Sequence, residues 1–236
     1  MTGSLSQRAA AEFIGTAFLV AAVVGSGIMG ERLSNGNLAL ALLCNTIATG
    51  AALVALILAF GWVSGAHFNP VVTLCDAMEK GIDWASVPAY VMAQILGGIL
   101  GAAVANLMFG LPAISISQRN RSGVAQVFAE FVATFGLLCV IWGCSRFRSN
   151  YIPFAVGAYI TSAYWFTSST SFANPAVTIA RCLSNTFAGI RPNDVVLFVV
   201  AQIAGGIAAT LLFRALVSRP AVQIESLAAT EELERS

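Results

Sequence analysis

Two short stretches carry side chains that could act on a small molecule. One reads Ser64-Gly65-Ala66-His67-Phe68-Asn69-Pro70-Val71, the other Ser171-Phe172-Ala173-Asn174-Pro175-Ala176-Val177-Thr178. Each sets an Asn directly before a Pro inside a strongly apolar region. A carboxamide offers two N–H donors and an acceptor and does not ionise. Two of them brought together can hold a passing oxygen, but they neither attack a substrate nor relay a proton. His67 is the only histidine and Lys80 the only lysine. Glu12 and Glu130 sit just inside apolar segments, where a carboxylate is a functional candidate by default. Cys44, Cys75, Cys139, Cys144 and Cys182 lack Cys-x-x-Cys spacing and read as small core residues rather than a disulfide or metal framework. No nucleophile–base pair, central carboxylate pair or metal-ligand cluster stands out, so the expectation is no enzyme, no metal and no cofactor.

Asn is a favoured N-cap and Pro is favoured at the first helical position. Asn69-Pro70 and Asn174-Pro175 should each start a helix, over about 69–79 and 174–184. At roughly ten residues these are too short to cross a bilayer, which takes roughly 20. The rest of the chain supplies the membrane. Of 236 residues, 58% are hydrophobic and 10% charged, against about 25% charged in a soluble domain. Lipid must cover the outside. Six segments are long enough to span: about 9–30, 38–61, 87–109, 124–145, 151–170 and 194–217. The first has no clear cleavage site after it, so no cleavable signal peptide is expected. The formal net charge of +1 gives no sign of a nucleic-acid partner. The polar stretch 221–236 reads as a solvated, frayed tail.

The chain repeats itself. Ala11-Glu12-Phe13 recurs as Ala129-Glu130-Phe131, Asn69-Pro70-Val71-Val72-Thr73 as Asn174-Pro175-Ala176-Val177-Thr178, and Ala93-Gln94-Ile95 as Ala201-Gln202-Ile203. The order is the same in both halves, 1–118 and 119–220. Three spans per half is an odd number, so the second half enters the membrane upside down. This inverted repeat places the working site near the midplane, where the halves meet. The two half-helix N-termini then face each other, each carrying roughly half a positive charge. Such ends oppose cations, protons included. An ordinary interhelical turn also accounts for a single Asn-Pro; two copies at matching places favour the paired half-helices. Orientation is weakly determined by charge: with the N-terminus inside, six Lys or Arg fall inside and five outside, Arg181 among the latter.

These motifs together resemble the aquaporin and aquaglyceroporin family over about residues 8–217. The resemblance implies an all-α membrane protein of six spans and two half-helices, one pore per subunit, a homotetramer, and a cytoplasmic N-terminus in the cell's inner (plasma) membrane. It implies passive transport of water or small uncharged solutes. Glu12 and Glu130 then accept hydrogen bonds from the loops before the half-helices, and His67 lines the cytoplasmic approach, where it could also sense pH. Gly97, Gly98, Gly101, Gly205 and Gly206 permit close helix contact.

The resemblance also implies a second, narrower ring on the extracellular side. Counting from the two Asn residues gives Thr49, Ser162, Ser171 and Val177, the Ser162 position by an ungapped count through its loop. Relatives selective for water carry an aromatic, a His and an Arg there, and glycerol conductors keep the Arg beside aromatics. This set has no ring, imidazole or guanidinium. Arg181, four positions past Val177, is expected to cap or leave its helix rather than restore the charge. Thr178 stands where glycerol conductors carry an Asp, and Val71 replaces the first motif's usual Ala. A wide, hydroxyl-lined, uncharged filter suits glycerol-like polyols and the neutral trihydroxides arsenite and antimonite, with water passing too. The alternatives are a channel mainly for water, or a coupled secondary transporter, which would want a mid-depth carboxylate where this chain has Asn.

Overall fold

The computed structural model describes residues 2–216; the tail expected over 221–236 lies outside them. The described residues form eight α-helices, with no strand among them. In chain order they are α1 (Leu5–Leu33), α2 (Leu38–Ser64), α3 (Pro70–Met78), α4 (Val87–Met108), α5 (Val124–Phe147), α6 (Ile152–Phe166), α7 (Pro175–Arg181) and α8 (Pro192–Leu216). Short 3-10 turns lead into α4 and α6.

Local signals set several of these ends. Ser4 and Gln7 form a reciprocal capping box at the start of α1. Asn37 caps α2, accepting from the Leu40 N–H at 3.1 Å. Gly65 ends α2 at φ +88°, a left-handed conformation that glycine adopts without a Cβ penalty. Five helices are long and apolar enough to span: α1, α2, the Trp84–Met108 stretch containing α4, α5 through Arg146, and α8. The fifth segment, expected over 151–170, is helical only over Ile152–Phe166. Its 15 residues reach about 22 Å, because the chain leaves the helix at Thr167 to form the approach to α7. The half-helix α7 likewise ends at Arg181 instead of 184.

Packing follows the two-fold pattern of the sequence. α1 lies against α2 and α4, and α5 against α6 and α8. α3 reaches across to α8, α7 to α4, and the half-helices touch each other. Close approach needs glycine at matching places: a Cβ on Gly97 would collide with the Phe13 carbonyl, and one on Gly205 with the Phe131 carbonyl. Large apolar side chains such as Phe18, Trp62, Leu107 and Phe128 are more than half exposed on the outside. In water this would be a liability; against lipid tails it is the expected surface.

Candidate pore and its constrictions

The loop before each half-helix is held in a strained form. Ala66 and Phe68 have φ of +49°, Ser171 +49° and Ala173 +50°. Left-handed backbone costs a non-glycine residue about 1–2 kcal/mol, so something must hold it. Glu12 does so in the first half. Its Oε1 accepts from the Ser64 hydroxyl (2.7 Å) and the His67 N–H (2.9 Å), its Oε2 from the Phe68 N–H (2.6 Å) and Gln94 Nε2 (2.8 Å). Glu130 repeats the arrangement, accepting from the Phe172 and Ala173 N–H groups at 2.9 Å each and from Gln202 Nε2. Both carboxylates are fully buried, and every bond they receive comes from the scaffold.

Each Asn does two jobs. Asn69 Oδ1 accepts from the Val71 N–H at 2.9 Å, and Asn174 Oδ1 from the Ala176 N–H at 3.0 Å, capping their half-helices. One amide hydrogen of each crosses to the other half: Asn69 Nδ2 donates to the Ala173 carbonyl and Asn174 Nδ2 to the Phe68 carbonyl, both at 2.7 Å. An amide has two N–H groups, so one remains on each Asn. Both residues line a cavity of about 300 Å³ that runs through the middle of the molecule.

Its lining comes from the strained loops, through Gly65–Asn69 and Ser171–Asn174, and from aliphatic side chains such as Leu19, Leu53, Leu137 and Val156. At one end lie His67 and Asp76. His67 Nδ1 is 3.1 Å from the Thr73 hydroxyl, and Nε2 is 3.5 Å from Asp76 Oδ2. At the other end lie Thr49, Tyr164, Ser171, Val177 and Arg181. The Thr49 and Tyr164 hydroxyls are 3.2 Å apart.

Two expectations for this outer end need correction. Ser162 faces outwards, its hydroxyl bonded to the Tyr159 carbonyl at 2.7 Å, and it does not line the cavity. Ile160 and Tyr164, four apart and so on one helical face, do. Ser162 is two residues, or about half a turn, away from each, which puts it on the opposite side of α6. At this level the cavity wall therefore carries an aromatic residue, Tyr164. Arg181, moreover, does not leave its helix for solvent. It is 1% exposed, stacks on Phe172 and lines the cavity, so the outer end is not uncharged. Val71, on α3, is buried against Gly206 rather than on the cavity wall.

A second arginine braces this region. Arg121, in the loop before α5, donates through Nε to the Gly189 carbonyl (2.8 Å) and through Nη1 to the Ser169 carbonyl (3.0 Å). Burial pushes its pKa down, and the neighbouring Arg181 and Arg119 charges add to that.

A family profile described as "Major intrinsic protein" matches residues 2–161 and again 147–234. Aquaglyceroporin AqpS of Rhizobium meliloti (strain 1021) is 51% identical over 221 residues, covering 93% of this chain and 94% of that one. This chain belongs to the major intrinsic protein family. Aquaporin NIP1-1 of Oryza sativa subsp. japonica is 34% identical over 216 residues, covering 86% and 71% of the two chains. The X-ray structure of the aquaglyceroporin from Plasmodium falciparum superposes with a TM-score of 0.73, covering 94% of this chain and all of that one. At 22% identity that likeness speaks for the fold. As a member of the family, the protein is a passive membrane channel for water and small solutes, not an enzyme.

Among cavity residues, the sequence reading missed Tyr164, Asp76 and Phe172. Helical periodicity from Ile160 could have found Tyr164, and the four-residue step from Val177 could have put Arg181 on the cavity face, where the sequence reading had it capping or leaving the helix. Nothing in the sequence showed that Phe172 would lie under the guanidinium.

Proposed function

We propose that the channel passes small neutral polyhydroxy solutes: glycerol-like polyols and the trihydroxides of arsenic and antimony, with water following. The carrying observation is Val177. An aliphatic residue stands at the ring position that a guanidinium occupies in relatives with narrower pores, and it lines the same cavity as Thr49, Tyr164 and Ser171. A polyol or metalloid trihydroxide offers hydroxyls to one side of such a ring and a less polar face to Val177.

In this reading Asn69 and Asn174 each present one N–H to a passing oxygen, which fixes its orientation and interrupts a chain of proton-conducting waters. Glu12 and Glu130 hold the loops, and the halves 1–118 and 119–220 act as inverted repeats. The protein works as a homotetramer in the inner (plasma) membrane. Mid-depth amides instead of carboxylates argue against proton coupling.

Reconstitution into liposomes tests this. Glycerol, arsenite, antimonite, urea and water fluxes are measured side by side. Glycerol and arsenite fluxes that exceed those of empty liposomes, and do not depend on a proton gradient, are expected. Fast water flow without solute flux would leave a water channel; flux that requires the gradient would indicate a coupled transporter.

A further inference from the structure

Arg181 is the last residue of α7 and is almost wholly buried. Four residues past Val177, it shares that residue's helical face one turn farther on. Its guanidinium carbon lies 3.4 Å from the Phe172 ring centroid, and its Nε donates to the Ala188 carbonyl. Its Nη1 has no partner, and no carboxylate forms an ion pair with it among the described residues. Arg121 approaches the same ring at 4.9 Å but uses all three guanidinium nitrogens on loop oxygens. Arg121 is a brace. Arg181 keeps a buried, unpartnered donor, and the residue belongs to the cavity lining. A buried cation left without a partner is destabilising; such an arrangement makes sense where a visiting oxygen completes it. The Ser171 hydroxyl, 2% exposed on the same cavity, also lacks a partner.

We propose that Arg181 is the fixed cation of the outer constriction, and that with the Ser171 hydroxyl it receives an acceptor oxygen of each passing solute while turning cations back. A guanidinium is charged at any pH the channel meets. Phe172 and Ala188 hold it in one place, so its field acts on the lumen without the freedom of a surface arginine. Low-dielectric walls focus that field. The charge absent at position 177 is thus supplied from position 181, set back one turn, which leaves the ring at Val177 open to solutes while cation exclusion is kept. The inference rests on the channel reading.

Proteoliposomes carrying the parent, Arg181→Gln and Arg181→Lys test it, with glycerol flux followed by light scattering and Na⁺ entry by an enclosed indicator. The Gln variant should admit Na⁺ on the order of tenfold faster than the parent, and the Lys variant should restore exclusion. A folded Gln variant with parental Na⁺ entry overturns the proposal. If the Gln variant does not fold, Ser171→Cys provides the second test, read as flux block by anionic and cationic methanethiosulfonates. The parent controls for native cysteines, and each rate is normalised to free cysteine. A normalised preference for the anionic reagent on the order of tenfold supports the proposal; parity or a cationic preference overturns it. Absence of glycerol flux in the parent would overturn the channel reading together with this inference. Parental glycerol flux with unchanged Na⁺ entry in the Gln variant would overturn the inference alone.

Discussion

The two mouths of the cavity are built from matching positions and carry opposite charge. A shift of 105 residues turns Asn69 into Asn174, His67 into Phe172, and Asp76 into Arg181. In the first half the acid sits 3.5 Å from an imidazole nitrogen. In the second half the base lies over a phenyl ring, with its Nη1 unpaired. Around these differences the scaffold is conserved between halves: a buried Glu, three left-handed residues, an Asn cap and a Gln that bonds both the Glu and a half-helix Thr. The symmetric parts are thus those that shape the backbone. The asymmetric parts project into the lumen, where one side should meet solute differently from the other.

The largest expected effect tests the symmetric side. Glu12→Ala and Glu130→Ala each leave at least three buried donors without an acceptor, at about 1–3 kcal/mol per donor. Both variants should lose at least about 3 kcal/mol and give little folded protein, by thermal denaturation in detergent. Strongly unequal losses would show that the two cradles are not equivalent.

Asp76→Asn probes the asymmetric side. The His67–Asp76 contact is long, at 3.5 Å, and Asn keeps a polar group facing the imidazole, so the change should cost about 1 kcal/mol. Glycerol flux should stay within about twofold of the parent, and Na⁺ exclusion should persist, because the outer mouth provides it. A large rise in Na⁺ entry would move the barrier to the inner mouth.

Ser162→Ala should do least. Its hydroxyl bonds only its own helix's Tyr159 carbonyl on the outer surface, so solute fluxes in liposomes should match the parent. A marked change would return Ser162 to the ring in place of Tyr164.

Much of the architecture was legible because the chain states it twice. The Asn-Pro pairs, the Ala-Glu-Phe starts and the Ala-Gln-Ile segments mark the repeat and the half-helices, and the family resemblance they carry implied the bonds that Glu12 and Glu130 accept. The outer ring was harder, since its four residues come from separate elements joined by a loop whose length decides the register. Counting back from Asn174 gave Ser162, whereas Tyr164, about half a turn away on α6, lines the cavity. Arg181 was seen at the correct helical step, but its fate depended on Phe172 and on the segment around Ala188 folding back over it. Those contacts are set by tertiary packing, and no local pattern announces them.

The ratio of glycerol to water permeability in Val177→Arg and parent liposomes tests the central claim most directly. A guanidinium at 177 would narrow the ring and stand one turn from Arg181. The account predicts that glycerol flux falls on the order of tenfold or more, with water flux reduced far less, so the ratio drops. An unchanged ratio in a folded variant would contradict the assignment of Val177 to the selective constriction.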